Sequence, residues 1–121
     1  MGAGEMNAQI VYVLRDLGIP ANLLGYEYLK SAIRLCLRDR TYINFITKRL
    51  YPEVAKQYGT IPNRAERAIR HAIDTAWNRG DPDRLEHYFG WTVSSKRSKP
   101  TNSEFIATVV EQLRMEQEAA G

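Results

Sequence analysis

The apolar residues of this chain recur at spacings of three and four almost throughout, and they alternate almost nowhere. Such spacing puts them on one face of a 3.6-residue helix, whereas a half-buried strand needs a period of two. Ile10, Val13, Leu14 and Leu17 form one stripe; Leu29, Ala32, Ile33, Cys36 and Leu37 form a second; Ile43, Ile46 and Leu50 form a third; Phe105, Ile106, Val109, Val110 and Leu113 form the last. Glycine and proline punctuate between stripes. The reading is all-α, with helices over 9–17, 22–39, 41–50, 52–58, 62–78, 82–89 and 101–116. Gly18-Ile19-Pro20 stops the first. Asp81 and Pro82 have the chemistry of an N-cap followed by a first helical residue. Thr101 and Glu104 have capping-box spacing.

At 121 residues the chain fits one compact domain that can bury a core without staples. Residues 1–8 read as a disordered tail or expression scar, 9–118 as the domain, and 119–121 as a tail. Nothing at the N-terminus has the basic and apolar regions of a signal peptide, and no apolar run approaches a membrane span. The single cysteine, Cys36, excludes an intrachain disulfide and suits a reducing, cytoplasmic compartment. It sits among Ile33, Leu35 and Leu37, as a small core residue does. The net charge of +3 permits a polyanionic partner without demanding one.

Function is concentrated between Tyr51 and Ile73. A helix-turn-helix needs a small residue where its two helices cross, and Ala55 is there. It needs a residue free to take positive φ four positions later, and Gly59 is there. Two small inward positions on the second helix are met by Ala65 and Ala68, with Ile69 and Ile73 continuing the stripe. Val54 and Tyr58 are expected on the inner face of the first helix. Thr60 stands where many such motifs carry an aliphatic residue, and Ile61 is expected to fill that gap. Asn63, Arg64, Glu66, Arg67, Arg70, His71 and Asp74 then face outward. Arginine matches guanine O6 and N7 with two bonds, and glutamate accepts from cytosine N4. Arg64, Glu66 and Arg67 therefore suit base reading in the major groove, and Arg70 and His71, a turn later, suit phosphates. The plainer account of the same residues is a solvated face laced by pairs such as Glu66 with Arg70. The Ala55–Gly59 spacing favours the first.

Several long blocks resemble the DNA-binding effector domain of the master response regulator of endospore formation. These are Tyr51-Pro52-Glu53-Val54-Ala55-Lys56, Arg64 through Ala72, and Lys99 through Ala107, supported by Leu17-Gly18-Ile19-Pro20-Ala21, Gly25-Tyr26-Glu27-Tyr28-Leu29 and Trp77-Asn78-Arg79-Gly80. The resemblance runs from Ile10 to Glu116. It implies a six-helix bundle containing a helix-turn-helix, binding to boxes resembling TGTCGAA, head-to-tail pairing on tandem boxes, and contact with an RNA polymerase sigma factor. Carried over, Arg64, Glu66 and Arg67 are base-reading; Asn63, Arg70, His71, Lys96, Lys99 and Ser103 lie near phosphates; Arg84, Glu86 and Phe89 face the polymerase. The stretch from Asp81 to His87 is more charged than the family pattern, which bears on the polymerase contact. Packing of Leu85, Tyr88 and Phe89 onto the core is the simpler role for that helix. The receiver domain that normally precedes the effector is absent from these residues. The resemblance thus implies an excised or stand-alone effector that binds DNA without the phosphorylation switch.

An enzyme is not expected. His71 and His87 are separated by a helix end and belong to no ligand motif, Glu66 and His71 do not share a helix face, and no phosphate-cradling glycine loop occurs. No metal or cofactor is implied. The serious rival is a protein-interaction module that occupies a sigma factor or the full-length regulator. The basic cluster Lys96, Arg97 and Lys99 separates the two, because phosphate contacts make affinity fall steeply with salt.

Overall fold

A computed structural model describes residues 2–90 and 99–120. Among these, all regular structure is helical: α1 (Ala3–Asp16), α2 (Leu24–Arg38), α3 (Thr41–Asn44), a π-helical turn (Ile46–Leu50), α4 (Tyr51–Gln57), α5 (Pro62–Arg79), α6 (Pro82–Phe89) and α7 (Asn102–Ala120). The one-turn α3 aside, six α-helices build the bundle, as the all-α reading expects. No helix among the described residues is long and apolar enough to cross a membrane.

The predicted stripes are the core. Ile10, Val13, Leu14 and Leu17 of the first segment, Leu29, Ala32, Ile33 and Cys36 of α2, and Phe105, Ile106, Val109, Val110 and Leu113 of α7 are all buried. α2 is the hub, packing against α1, α4, α5 and α7. Its contact with α5 is an intimate one at Gly25. A Cβ placed on Gly25 would lie 2.1 Å from the Ala68 carbonyl oxygen and 2.7 Å from the Ala72 Cβ. Only a residue without a side chain lets the two backbones meet there.

Caps close the helices where the sequence places them. Asp81 accepts from the Asp83 amide at 2.9 Å and opens α6, and Gly90, at φ +70°, ends it. At α7 the Thr101 hydroxyl accepts from the Glu104 amide at 3.1 Å, while the Glu104 carboxylate accepts from the Thr101 amide at 2.8 Å. Both halves of the capping box are present.

Two boundaries depart from expectation. Residues 1–8 are not a tail throughout, since α1 begins at Ala3. Met6 packs against the core, and the Asn7 side-chain oxygen accepts from Arg34 Nε at 3.0 Å and NH2 at 2.8 Å. The extra turn is thus held by a tertiary contact. At the other end α7 runs through Ala120 instead of stopping before 119. The segment 41–50 is also not one regular helix. Phe45 breaks it at φ −136° and ψ 53°, and the chain continues as the π turn. The Phe45 carbonyl accepts from both Arg49 (2.8 Å) and Leu50 (3.1 Å).

Candidate nucleic-acid interface

α4, the turn at 58–61 and α5 form the helix-turn-helix. Val54 and Ala55 are buried, and the Thr60 amide donates to the Ala55 carbonyl at 2.9 Å, drawing the chain back over the end of α4. Gly59 takes φ +64°, the left-handed backbone that the spacing from Ala55 requires. α5 then starts at Pro62, with a fixed φ and no amide to satisfy. Ala65, Ile69, Ala72, Ile73 and Ala76 are fully buried, and Ala68 packs at the Gly25 crossing.

Two details of this motif are corrected. Tyr58 is not an inner-face residue: it is 41% exposed. Its ring lies 5.0 Å from that of Tyr28, and its hydroxyl donates to the Glu27 carbonyl at 3.3 Å. It braces the turn against α2 from outside. Ile61 does not fill the gap left at Thr60, being 55% exposed. As the N-cap residue in extended backbone it points away from the helix pair.

With the apolar stripe turned inward, Asn63, Arg64, Glu66, Arg67 and His71 are exposed on one side of α5. The side chains of Arg64, Glu66 and Arg67 make no ion pair with any described residue. The surface pair that would have tied up Glu66 does not form. Arg70 turns the other way: its Nε and NH2 lie 3.0 and 2.9 Å from Asp74 Oδ1, and its NH1 donates to the Pro100 carbonyl at 2.9 Å. The Arg70 guanidinium is thus held between a carboxylate and the backbone carbonyl that precedes α7.

Between α5, the π turn and the start of α7 lies an open groove of about 490 Å3, lined by Thr47, Tyr51, Glu66, Arg67, His71 and Ser103 among others. Ser103 is exposed at its α7 side, and Lys99, three residues before α7, is exposed as well. Asn102 is not: it is 7% exposed. Its Nδ2 donates at 3.1 Å to the Tyr51 hydroxyl and at 3.1 Å to the Glu66 carbonyl. Burial is the main cause that pushes the Tyr51 phenol above its ordinary range. Sequence reading missed Asn102, which looks like any small polar residue in a helix-opening turn, and missed Thr47, which reaches the groove through the irregular π turn.

The other assigned positions fall elsewhere. Lys96 and Arg97 lie outside the described residues. Arg84 and Glu86 are exposed on α6, which packs against α7. Arg84 NH1 is 3.6 Å from Asp16 Oδ1. Phe89 takes the core-packing role expected of Leu85, Tyr88 and Phe89, and not that of a residue facing the polymerase. It is 6% exposed, and its ring centroid lies 5.0 Å from Trp77 and 5.6 Å from Phe105 in an aromatic cluster under α6. Among the described residues no cluster of His, Cys, Asp and Glu is arranged to hold a metal ion.

Residues 10–113 match the family model described as "Sporulation initiation factor Spo0A C terminal". The chain belongs to the Spo0A C-terminal domain family. The match begins in α1, ends in α7 and takes in the whole helix-turn-helix. The Spo0A C-terminal domain is a DNA-binding, non-enzymatic module of a transcription regulator of sporulation, and this chain has that DNA-binding regulatory role.

Proposed function

We propose that α5 is the recognition helix and that it reads double-stranded DNA from the major groove, at boxes resembling TGTCGAA. The observation that carries this is the state of Arg64, Glu66 and Arg67. All three stand exposed on the first two turns after a tight turn, without ion-pair partners among the described residues, on a helix whose opposite face is locked into the core. A rigid helix presenting unpaired arginines has little reorganisation to undergo when it meets guanine edges. Asn63, His71, Lys99 and Ser103 flank these residues as phosphate contacts, with Lys96 extending the series.

Two domains sit head-to-tail on tandem boxes, and a sigma factor meets the exposed Arg84 and Glu86 on α6, an element apart from the reading face. The domain works in the cytoplasm, where such promoters are.

Selection of bound duplexes from a random DNA pool tests the reading directly. A G/C-containing consensus is expected. Arg67→Ala should then lose discrimination at a single base pair, by about 1–3 kcal/mol. Lys99→Ala should weaken cognate and scrambled duplexes alike and lower the salt slope by about 1. No enriched consensus, or identical effects of both substitutions on every duplex, overturns the proposal.

A further inference from the structure

The base readers and the phosphate-side residues come from different parts of the chain. Arg64, Glu66 and Arg67 are on α5, while Lys99 and Ser103 lie at the start of α7, thirty-odd residues later. Two side chains bolt these pieces together. The buried Asn102 donates to the Glu66 carbonyl, the backbone of a base reader, and through its second N–H to the Tyr51 hydroxyl at the start of α4. An amide nitrogen carries two hydrogens, so both bonds form at once. One turn along α5, Arg70 donates to the Pro100 carbonyl, held in that orientation by Asp74. The tethers thus grip both sides of the α7 start, at Pro100 and Asn102, at heights 66 and 70 of the recognition helix.

We infer that Asn102 and Arg70 are positioning residues for sequence discrimination: they fix the register between the reading face of α5 and the grip at Lys99 and Ser103, and Arg70 does so in place of touching a phosphate. This rests on the major-groove reading above. Side chains reading base edges must be held to a fraction of an ångström, and supporting hydrogen bonds are what hold them. A guanidinium spanning Asp74 and Pro100 cannot be replaced by the point charge of a lysine.

Arg70→Lys keeps the charge and removes the fork; Asn102→Ala removes a tether without changing any charge. Each is compared with the unmutated domain on its selected duplex and on a scrambled one, across a salt series. Both variants are expected to lose roughly tenfold in the cognate-to-scrambled ratio, within what one bidentate base contact is worth, with the salt slope unchanged. For Arg70→Lys, equal weakening on both duplexes, or a lower melting temperature with an unchanged ratio, overturns the inference. Amide hydrogen exchange on the DNA-free domain supplies an independent arm. Residues 102–106 should exchange faster in Arg70→Lys. Unchanged exchange there removes the tether while leaving the major-groove reading intact. An unmutated domain that binds both duplexes equally removes that reading, and this inference with it.

Discussion

Two glycines show how differently a missing side chain is used. Gly59 has open space around its Cβ position but a φ of +64°, so Gly59→Ala incurs only the left-handed backbone penalty of about 1–2 kcal/mol. Gly25 is the reverse. Its obstacle is the Ala68 carbonyl at 2.1 Å, a backbone atom inside α5 that cannot rotate aside. Gly25→Ala must push α2 off α5, and overpacking of that kind costs about 1–3 kcal/mol or more. Urea denaturation followed by circular dichroism should rank Gly25→Ala as the more destabilised whenever the helices cannot slide apart freely. Equal stability of Gly25→Ala and the parent would mean that the α2–α5 crossing is loose. Gly59 was legible because a turn motif specifies it by its distance from Ala55. The role of Gly25 was not, because the helix it meets is more than forty residues away and nothing local marks the crossing. Tyr58 fails for the same reason: an aromatic at a helix end suits a core or a surface equally, and the partner that decides, Tyr28, is remote in sequence.

At the scale of elements, what the sequence states well is where helices begin and end if capping is local. The limits of α6 and the start of α7 follow from Asp81, Gly90 and the Thr101–Glu104 pair. The start of α1 does not, since the turn upstream of Gln9 is secured by Arg34 reaching Asn7 from α2. The π turn is equally silent, because Ile43, Ile46 and Leu50 keep helical spacing on either side of the break at Phe45. Capping also bears on the interface. The α7 start carries Lys99 and Ser103, and Thr101 closes its first turn. Thr101→Ala should therefore cost about 1 kcal/mol of stability, the usual value for a lost cap. Its effect on DNA should be smaller than that of Asn102→Ala, because Thr101 holds α7 together whereas Asn102 holds α7 to α5. Chemical denaturation and duplex titration of the two variants side by side check this; a larger loss of discrimination from Thr101→Ala would reverse the assignment.

Across the whole molecule, three weak acids are held neutral in the interior by burial above all. The Cys36 thiol on α2 is pushed from 9.0 to about 12, with Arg114 pulling it modestly back. The Tyr51 phenol on α4 is raised. The Tyr88 phenol on α6 is raised further, by burial first and then by donating its hydrogen bond to the Asp16 carboxylate at 2.9 Å. Each group keeps its proton in the folded chain to higher pH than in the unfolded one. Where the unfolded chain binds fewer protons than the folded, stability falls as pH rises. The stabilising preference for the protonated forms is complete below the unfolded thiol's 9.0 and is lost as pH climbs through about 12 for Cys36. Because the three groups sit on three helices of one core, local fraying frees none of them together; global unfolding does. Urea midpoints should thus decline steadily from pH 9 to 12, within the window set by Cys36. Cys36→Ser or Cys36→Ala, having no thiol to ionise, should show a shallower decline even if less stable at pH 7. In the parent, a thiol reagent at pH 8 should modify Cys36 only when denaturant is present, since the thiolate is the reactive form and the group is buried and protonated. Prompt labelling of the native protein, or parallel pH profiles for parent and Cys36→Ala, would show that the interior around α2 opens without unfolding.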